Sequence, residues 1–171
     1  HFGAPLQLIV AAGGDEDLYH KLQQVEWHQP TQIYNYVSDM PMFLRAADAL
    51  ITKAGGLITT EALAAGLPII LIDLLPGQET GNARYIVNNK AGDMATTPIE
   101  LLEVLHHWLA NDQQLLHERA ANAALIGKPF AAREIADIAW QQAQIGPSKK
   151  NPLLFARRPN VVDLLTNNKV P

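Results

Sequence analysis

The sequence predicts an α/β fold, an open parallel sheet flanked by helices. Apolar runs of strand length alternate with stretches of helical period. The intervals between runs are long enough for helical crossovers rather than hairpin turns, as parallel neighbours require. The scale fits as well: 171 residues at 48% hydrophobic content give one ordinary domain enough apolar material for a core.

The predicted strands are "LQLIVAA" (6–12), "TQIYNYV" (31–37), "DALIT" (48–52), "PIILI" (68–72) and a short "GDMAT" (92–96). Helices are expected between them at about 15–25, 40–47, 57–65 and 81–89. From Ile99 onward the period is helical throughout. Leu101, Leu102, Leu105, Trp108 and Leu109 form one apolar stripe, Leu115, Leu116 and Ala120 a second, and Ile135, Ile138 and Ala139 a third. Asn111-Asp112 and Gly127-Lys128-Pro129 separate them, so three closing helices are expected. Gly146-Pro147 begins a tail in which only "NVVDLL" (160–165) reads as a strand or a helical turn. The division is therefore a folded body over 1–145 and a basic tail over 146–171.

The chain has no cysteine, which excludes a disulfide scaffold, a thiolate metal site and a thiol nucleophile. No apolar run reaches the ~18–20 residues of a membrane span, and His1 to Pro5 lack the layout of a secretion signal. The expectation is a cytoplasmic protein. Net charge is −4, unevenly spread: the tail carries five Lys or Arg against one Asp, and the rest eight basic against sixteen acidic residues. An acidic body argues against a nucleic-acid partner, whose phosphates require clustered basic residues. The tail, with Lys149, Lys150, Arg157 and Arg158 among prolines, suits a peripheral place on an anionic membrane surface or simple solvation.

The stretch "ITKAGGLITTEALAAGLPII" (51–70) is the most informative. It runs from a strand through Lys53, Ala54, Gly55 and Gly56 into a helix. In an open parallel sheet, ligands sit beyond the carboxyl ends of the strands, where loops lead into helix amino termini. Gly55 and Gly56 let the backbone turn sharply and approach a ligand closely, and the free N–H groups near Leu57 form an anion trap suited to phosphate. The alternative is a tight turn with no ligand. Thr59 and Thr60 are expected to add hydroxyl donors. Glu61 would repel a phosphate beside it, so in a nucleotide site it should reach past the phosphates to hydroxyls, and a ribose diol fits. The alternative is a carboxylate that complements the helix dipole.

The next loop, within "IDLLPGQETGNARYIV" (72–87), is dense in hydrogen-bonding side chains: Asp73, Gln78, Glu79, Thr80 and Asn82. Amides and carboxylates side by side suit sugar hydroxyls, and they are also ordinary loop residues. No P-loop, G-x-G-x-x-G or G-x-S-x-G motif is present. The Asp-x-Asp at Asp15 to Asp17 opens a helix and is read as a cap rather than a metal ligand. His106 and His107 are neighbours without metal-ligand spacing, so no metal site is expected.

The segment "YVSDMPMFLRAADALITKAGGLITTEALAAGLPIILIDLLPGQETGN" (36–82) resembles the donor-binding half of the two-domain GT-B glycosyltransferases. The similarity is greatest to monogalactosyldiacylglycerol synthase and the processive diacylglycerol glucosyltransferases, and the peptidoglycan N-acetylglucosaminyltransferase is a more distant relative. The Lys-Ala-Gly turn, the helix Glu, "GLPIIL" and "PGQE-x-GN" occur in order at family spacing, and the likeness extends weakly from about Leu6 to about Ala143.

The resemblance implies a Rossmann-like half of a GT-B fold. In it the backbone at Val37 would hold uracil, Gly55, Gly56 and Leu57 the diphosphate, Glu61 the ribose, and Gln78 and Glu79 the sugar hydroxyls. Thr60 and Asn82 would complete the donor site. Retaining relatives carry a Glu-x7-Glu pair whose second member corresponds to Glu61. The position eight before it here is Lys53, a departure that favours the inverting class. Lys53 would offset charge on departing UDP, or is a surface lysine at a strand end.

The family's acceptor domain, which supplies the catalytic base and the lipid-facing surface, has no counterpart here. Neither has the donor domain's first strand, which in the order 3-2-1-4-5-6 lies between "LQLIVAA" and "DALIT". The expectation is the donor half of a metal-independent hexosyltransferase, moving sugar from a UDP-sugar to a lipid acceptor and inactive without the acceptor domain. No cofactor is expected, and the catalytic residues are unassigned. The rival readings are a UDP-sugar 2-epimerase and a non-catalytic UDP-sugar-binding module.

Overall fold

A computed structural model describes residues 6–75 and 77–145. "NVVDLL" and the rest of the basic tail lie outside the described residues. The described residues divide into two compact units between 129 and 130.

The first unit alternates strand and helix in the expected order: β1 (Leu8–Ala11), α1 (Glu16–Gln23), β2 (Thr31–Tyr34), α2 (Met40–Ala46), β3 (Leu50–Thr52), α3 (Gly56–Ala64), β4 (Ile69–Leu71), α4 (Thr80–Asn88) and β5 (Gly92–Met94). Two more helices, α5 (Pro98–Leu109) and α6 (Gln114–Ile126), follow around a 3₁₀ turn at Asn111–Gln113. The strands are shorter than their apolar runs, because each run spends its outer residues on the loops that meet the helices. The second unit contains α7 (Ala131–Ile145), the third helix expected after Ile99.

Among the described residues all strand pairing is parallel, as the crossover lengths require. β1 pairs with β2 in the register Leu8↔Thr31, β3 with β4 in Leu50↔Ile69, and β4 with β5 in Ile69↔Gly92. These are the neighbours of the expected order, but they form two ladders, β1-β2 and β3-β4-β5. Among the described residues no ladder joins β1 to β3, the two strands between which a further strand is expected.

β4 is the centre of the larger ladder, and its composition shows it. Ile69, Ile70 and Leu71 are all fully buried, as expected of a strand covered on both faces. One side packs with Leu44, Leu63, Ala83 and Ile86 from α2, α3 and α4, and the other with Trp108 and Leu116 from α5 and α6. Gly92 permits the close approach of β5 to β4, since a Cβ there would overlap the Ile69 carbonyl.

Trp108 locks the second layer by chemistry as well as size. Its indole N–H donates to Asp93 Oδ2 at 2.7 Å, and Arg119 Nε and Nη2 donate to the same carboxylate at 2.9 and 3.1 Å. One carboxylate on β5 thus fastens both α5 and α6. Arg119 provides the two-pronged geometry that a lysine lacks.

Candidate functional site

The carboxyl ends of β3 and β4 run into two loops, residues 53–55 and 72–79, that lead to α3 and α4. The helix amino termini differ in how they are finished. Asp15 caps α1 by accepting from Leu18 N at 2.9 Å, and Glu16 and Asp17 stand in its first turn, which agrees with the capping reading of the Asp-x-Asp. Thr97 caps α5 in the same way, accepting from Glu100 N. α3, with Gly55 as its N-cap, has no side-chain cap and no acid in its first turn, and α4 and α6 share both features. Its leading N–H groups therefore remain as donors beside an unopposed positive dipole end.

The glycines of this turn are not demanded by the chain itself. Gly55 has φ −63 and ψ 136, open to any residue, and Gly56 is an ordinary helical position. A Cβ at Gly55 would meet only Ile58 Cγ2 at 3.7 Å, and one at Gly56 only Asn82 Nδ2 at 3.7 Å, both ordinary contacts. The sharp turn expected from the sequence is thus made without left-handed backbone. What the missing side chains leave is room on the open side.

The two threonine hydroxyls expected as donors are engaged within α3 itself. Thr59 Oγ1 donates back to the Gly55 carbonyl at 2.7 Å, and Thr59 is buried. Thr60 Oγ1 lies 2.8 Å from the Gly56 carbonyl and 2.9 Å from that of Leu57. Each hydroxyl owns one proton and gives it to its own helix, the back-bonding common to Ser and Thr inside helices. Glu61 is the sixth residue of α3, beyond the first turn, and it is exposed. A dipole-complementing role falls off within the first turn, so the alternative reading of Glu61 loses its basis.

The polar loop after β4 is largely occupied with its own construction. Glu79 Oε2 accepts from Leu75 N at 3.1 Å, and Thr80 Oγ1 accepts from Gly77 N at 3.1 Å. Asn82 Nδ2 donates to the Ala54 carbonyl at 2.8 Å, bringing the start of α4 onto the Lys53 to Gly56 turn. Asp73 carries a left-handed φ of 48 and places Oδ2 3.0 Å from Lys53 Nζ. That hydrogen bond and charge hold the Lys53 ammonium above its ordinary value, with Glu79 adding in the same sense. Gln78 is exposed. Val37, three residues beyond β2, is half-buried, while Leu57 is 82% exposed at the first turn of α3.

The structure thus brings together Lys53, Gly55, Gly56, Glu79 and Asn82 around one turn. The Lys53–Asp73 pair and the Asn82 to Ala54 bond were not read from the sequence, since no spacing rule links residues twenty or more apart. Among the described residues no cluster of three metal-ligating side chains is present, and no helix is long and apolar enough to cross a membrane.

Parallel ladders between helix layers, with a glycine turn opening onto a helix amino terminus, are the architecture of a GT-B glycosyltransferase half. MurG from Acinetobacter baumannii superposes with a TM-score of 0.61 at 25% identity, over 81% of this chain and 53% of that one. WaaG, a glycosyltransferase of lipopolysaccharide biosynthesis, shares the fold at a TM-score of 0.54 and 23% identity, over 77% of this chain and 37% of that one. Residues 3–139 match the glycosyltransferase family 28 C-terminal domain, and the chain belongs to that family. Among curated proteins, monogalactosyldiacylglycerol synthase 3 of Arabidopsis thaliana is 36% identical over 143 residues, 81% of this chain and 31% of that protein. A probable monogalactosyldiacylglycerol synthase 3 of Oryza sativa is 36% identical over 148 residues, 84% of this chain and 29% of that protein. The chain spans about a third of the length of these relatives.

Proposed function

We propose that the chain is the donor-nucleotide-binding half of an inverting, metal-independent glycosyltransferase that moves a hexose from a UDP-sugar to a lipid acceptor such as diacylglycerol. The observation that carries this reading is the mouth of α3. It is uncapped, has no acid in its first turn, and bears two glycines that the local backbone does not require. A diphosphate explains all three features: it uses the free N–H groups, avoids a neighbouring carboxylate, and occupies the space that a Cβ would narrow. The relatives' names, which describe synthesis of a galactolipid on diacylglycerol, support the hexose and the acceptor class.

In this reading Gly55, Gly56 and Leu57 hold the diphosphate and Lys53 offsets the charge that grows on departing UDP. Glu61 accepts from the ribose hydroxyls, the Val37 backbone meets uracil, and Gln78 and Glu79 face the sugar. Asn82 shapes the turn. The donor half contributes position and preorganised N–H dipoles, while base and acceptor site belong to another part of the protein. The localisation we propose is cytoplasmic and peripheral on a membrane, where a lipid acceptor lies.

The test is hexose transfer by the full-length protein from a panel of UDP-sugars to diacylglycerol in vesicles, beside UDP titration of the parent and Glu61→Ala. Transfer to lipid, together with UDP affinity weakened by roughly 1.5–3 kcal/mol in the variant, is the expected result. A protein that binds UDP but transfers to no lipid refutes the acceptor assignment. Equal UDP affinity in parent and variant removes Glu61 from the site.

A further inference from the structure

The ends of β3 and β4 set two opposite charges across the mouth of one turn. Lys53 directly follows β3 and stands two residues before Gly55, and Asp73 stands two residues beyond β4. Their side chains meet at 3.0 Å while remaining 53% and 71% exposed. A pair so open to water is weakly held and exchanges readily. Asp73 nevertheless adopts a left-handed φ of 48, a region uncommon outside glycine and tolerated mainly by Asp and Asn. The chain thus accepts an unusual backbone where this carboxylate reaches the lysine. Glu79 is the other anion acting on Lys53. Its carboxylate is already engaged with the Leu75 amide, which leaves Asp73 as the lysine's movable partner.

We propose that Asp73 is an exchangeable counter-ion for Lys53, a positioning residue that gives up the ammonium when a nucleoside diphosphate occupies the α3 mouth and takes it back when the diphosphate leaves. The proposal rests on the donor-site reading above. Its consequence is that Asp73 lowers affinity for the product UDP and hastens its release. The multiply charged diphosphate outcompetes one carboxylate for the lysine, and the pair re-forms as UDP departs.

A double-mutant cycle in the full-length protein tests this, with UDP and uridine titrated into the parent, Asp73→Asn, Lys53→Ala and the double variant. Asn tolerates the left-handed backbone as Asp does, and Asp73→Gly, which also adopts it freely, is the second variant should Asn perturb folding. The expected result is UDP binding about two- to fivefold tighter in Asp73→Asn, as freeing one exposed ion pair allows. The gain should be clearly smaller in the Lys53→Ala background, and uridine, which lacks the diphosphate, should bind unchanged. An equal gain in both backgrounds means that Asp73 only repels the ligand, and it overturns the proposal, as does UDP affinity unchanged or weakened by both Asp73 variants. If the parent itself does not bind UDP, the donor-site reading fails and this inference falls with it. Parent binding with no Asp73 effect sinks the inference alone.

Discussion

Asn82, at the start of α4, donates its side-chain amide to the carbonyl of Ala54 at 2.8 Å, so the turn before α3 is held from a helix 28 residues further on. Ala54 is fully buried, and its carbonyl would otherwise lack this partner in the interior. Asn82→Ala should cost about 1 kcal/mol in urea unfolding. Asn82→Asp should cost more, because a carboxylate replaces the donor and faces a carbonyl. In both, UDP affinity should fall further than stability alone explains, since the turn loses its orientation. Unchanged affinity would show that the turn holds its shape without Asn82.

Glycine substitutions separate folding from binding. Gly55→Ala meets only Ile58 at 3.7 Å and keeps an allowed backbone, so its melting temperature should stay within a few degrees of the parent. UDP binding should drop at least tenfold, because the added methyl narrows the space over the N–H groups. Gly92→Ala is the contrasting case, in which a Cβ overlaps the Ile69 carbonyl and the protein should fail to accumulate in soluble form. If Gly55→Ala binds UDP as the parent does, the α3 mouth is not the phosphate site.

UDP affinity should survive excess EDTA. The one Asp-x-Asp of the described residues is used in capping α1, and in the proposed site helix N–H groups and Lys53 replace a cation. A tenfold loss of affinity on chelation would require a metal-bound diphosphate.

Arg119→Ala should destabilise by about 2–3 kcal/mol, since it removes two charge-assisted hydrogen bonds and leaves the partly buried Asp93 without its cation. Trp108→Phe should cost less through the lost N–H bond, because Arg119 still holds the carboxylate. Denaturant titration of the two variants gives the order.

Acid should weaken the start of α5. Hydrogen bonds from the Thr96 hydroxyl and backbone N–H hold the Glu100 carboxyl below its ordinary value of 4.5. A carboxyl depressed on folding contributes stability that is present above its unfolded value and lost as pH falls through the folded one. Glu100→Gln should therefore melt slightly below the parent at pH 7, and the difference should vanish well below pH 4.5. A difference that persists in acid would trace to shape rather than charge.

Much of the fold is local, and the sequence by itself determined that part. The runs at Leu6 to Ala12 and Pro68 to Ile72 mark strands because apolar strand-length segments between helical crossovers have no other way to be covered. Asn111-Asp112 and Gly127-Lys128-Pro129 break the closing helices where the sequence places them, and the positive φ of Asn111 and Asp112 shows the first break in the backbone. The turn at Gly55 and Gly56 was legible for the same reason, as glycines between a strand and a helix are a local pattern. Partners were not legible, because they depend on which strand ends lie side by side. The register of β3 on β4 brings Lys53 to Asp73, the packing of α4 brings Asn82 to Ala54, and the closing helices bring Trp108 and Arg119 to one carboxylate on β5. Periodicity states which face of an element is buried, whereas the parallel crossovers and the packed layers decide what that face meets. Thr59 and Thr60 show the difference within one turn: composition marks them as donors, and only the helix geometry shows that carbonyls four residues back accept from them.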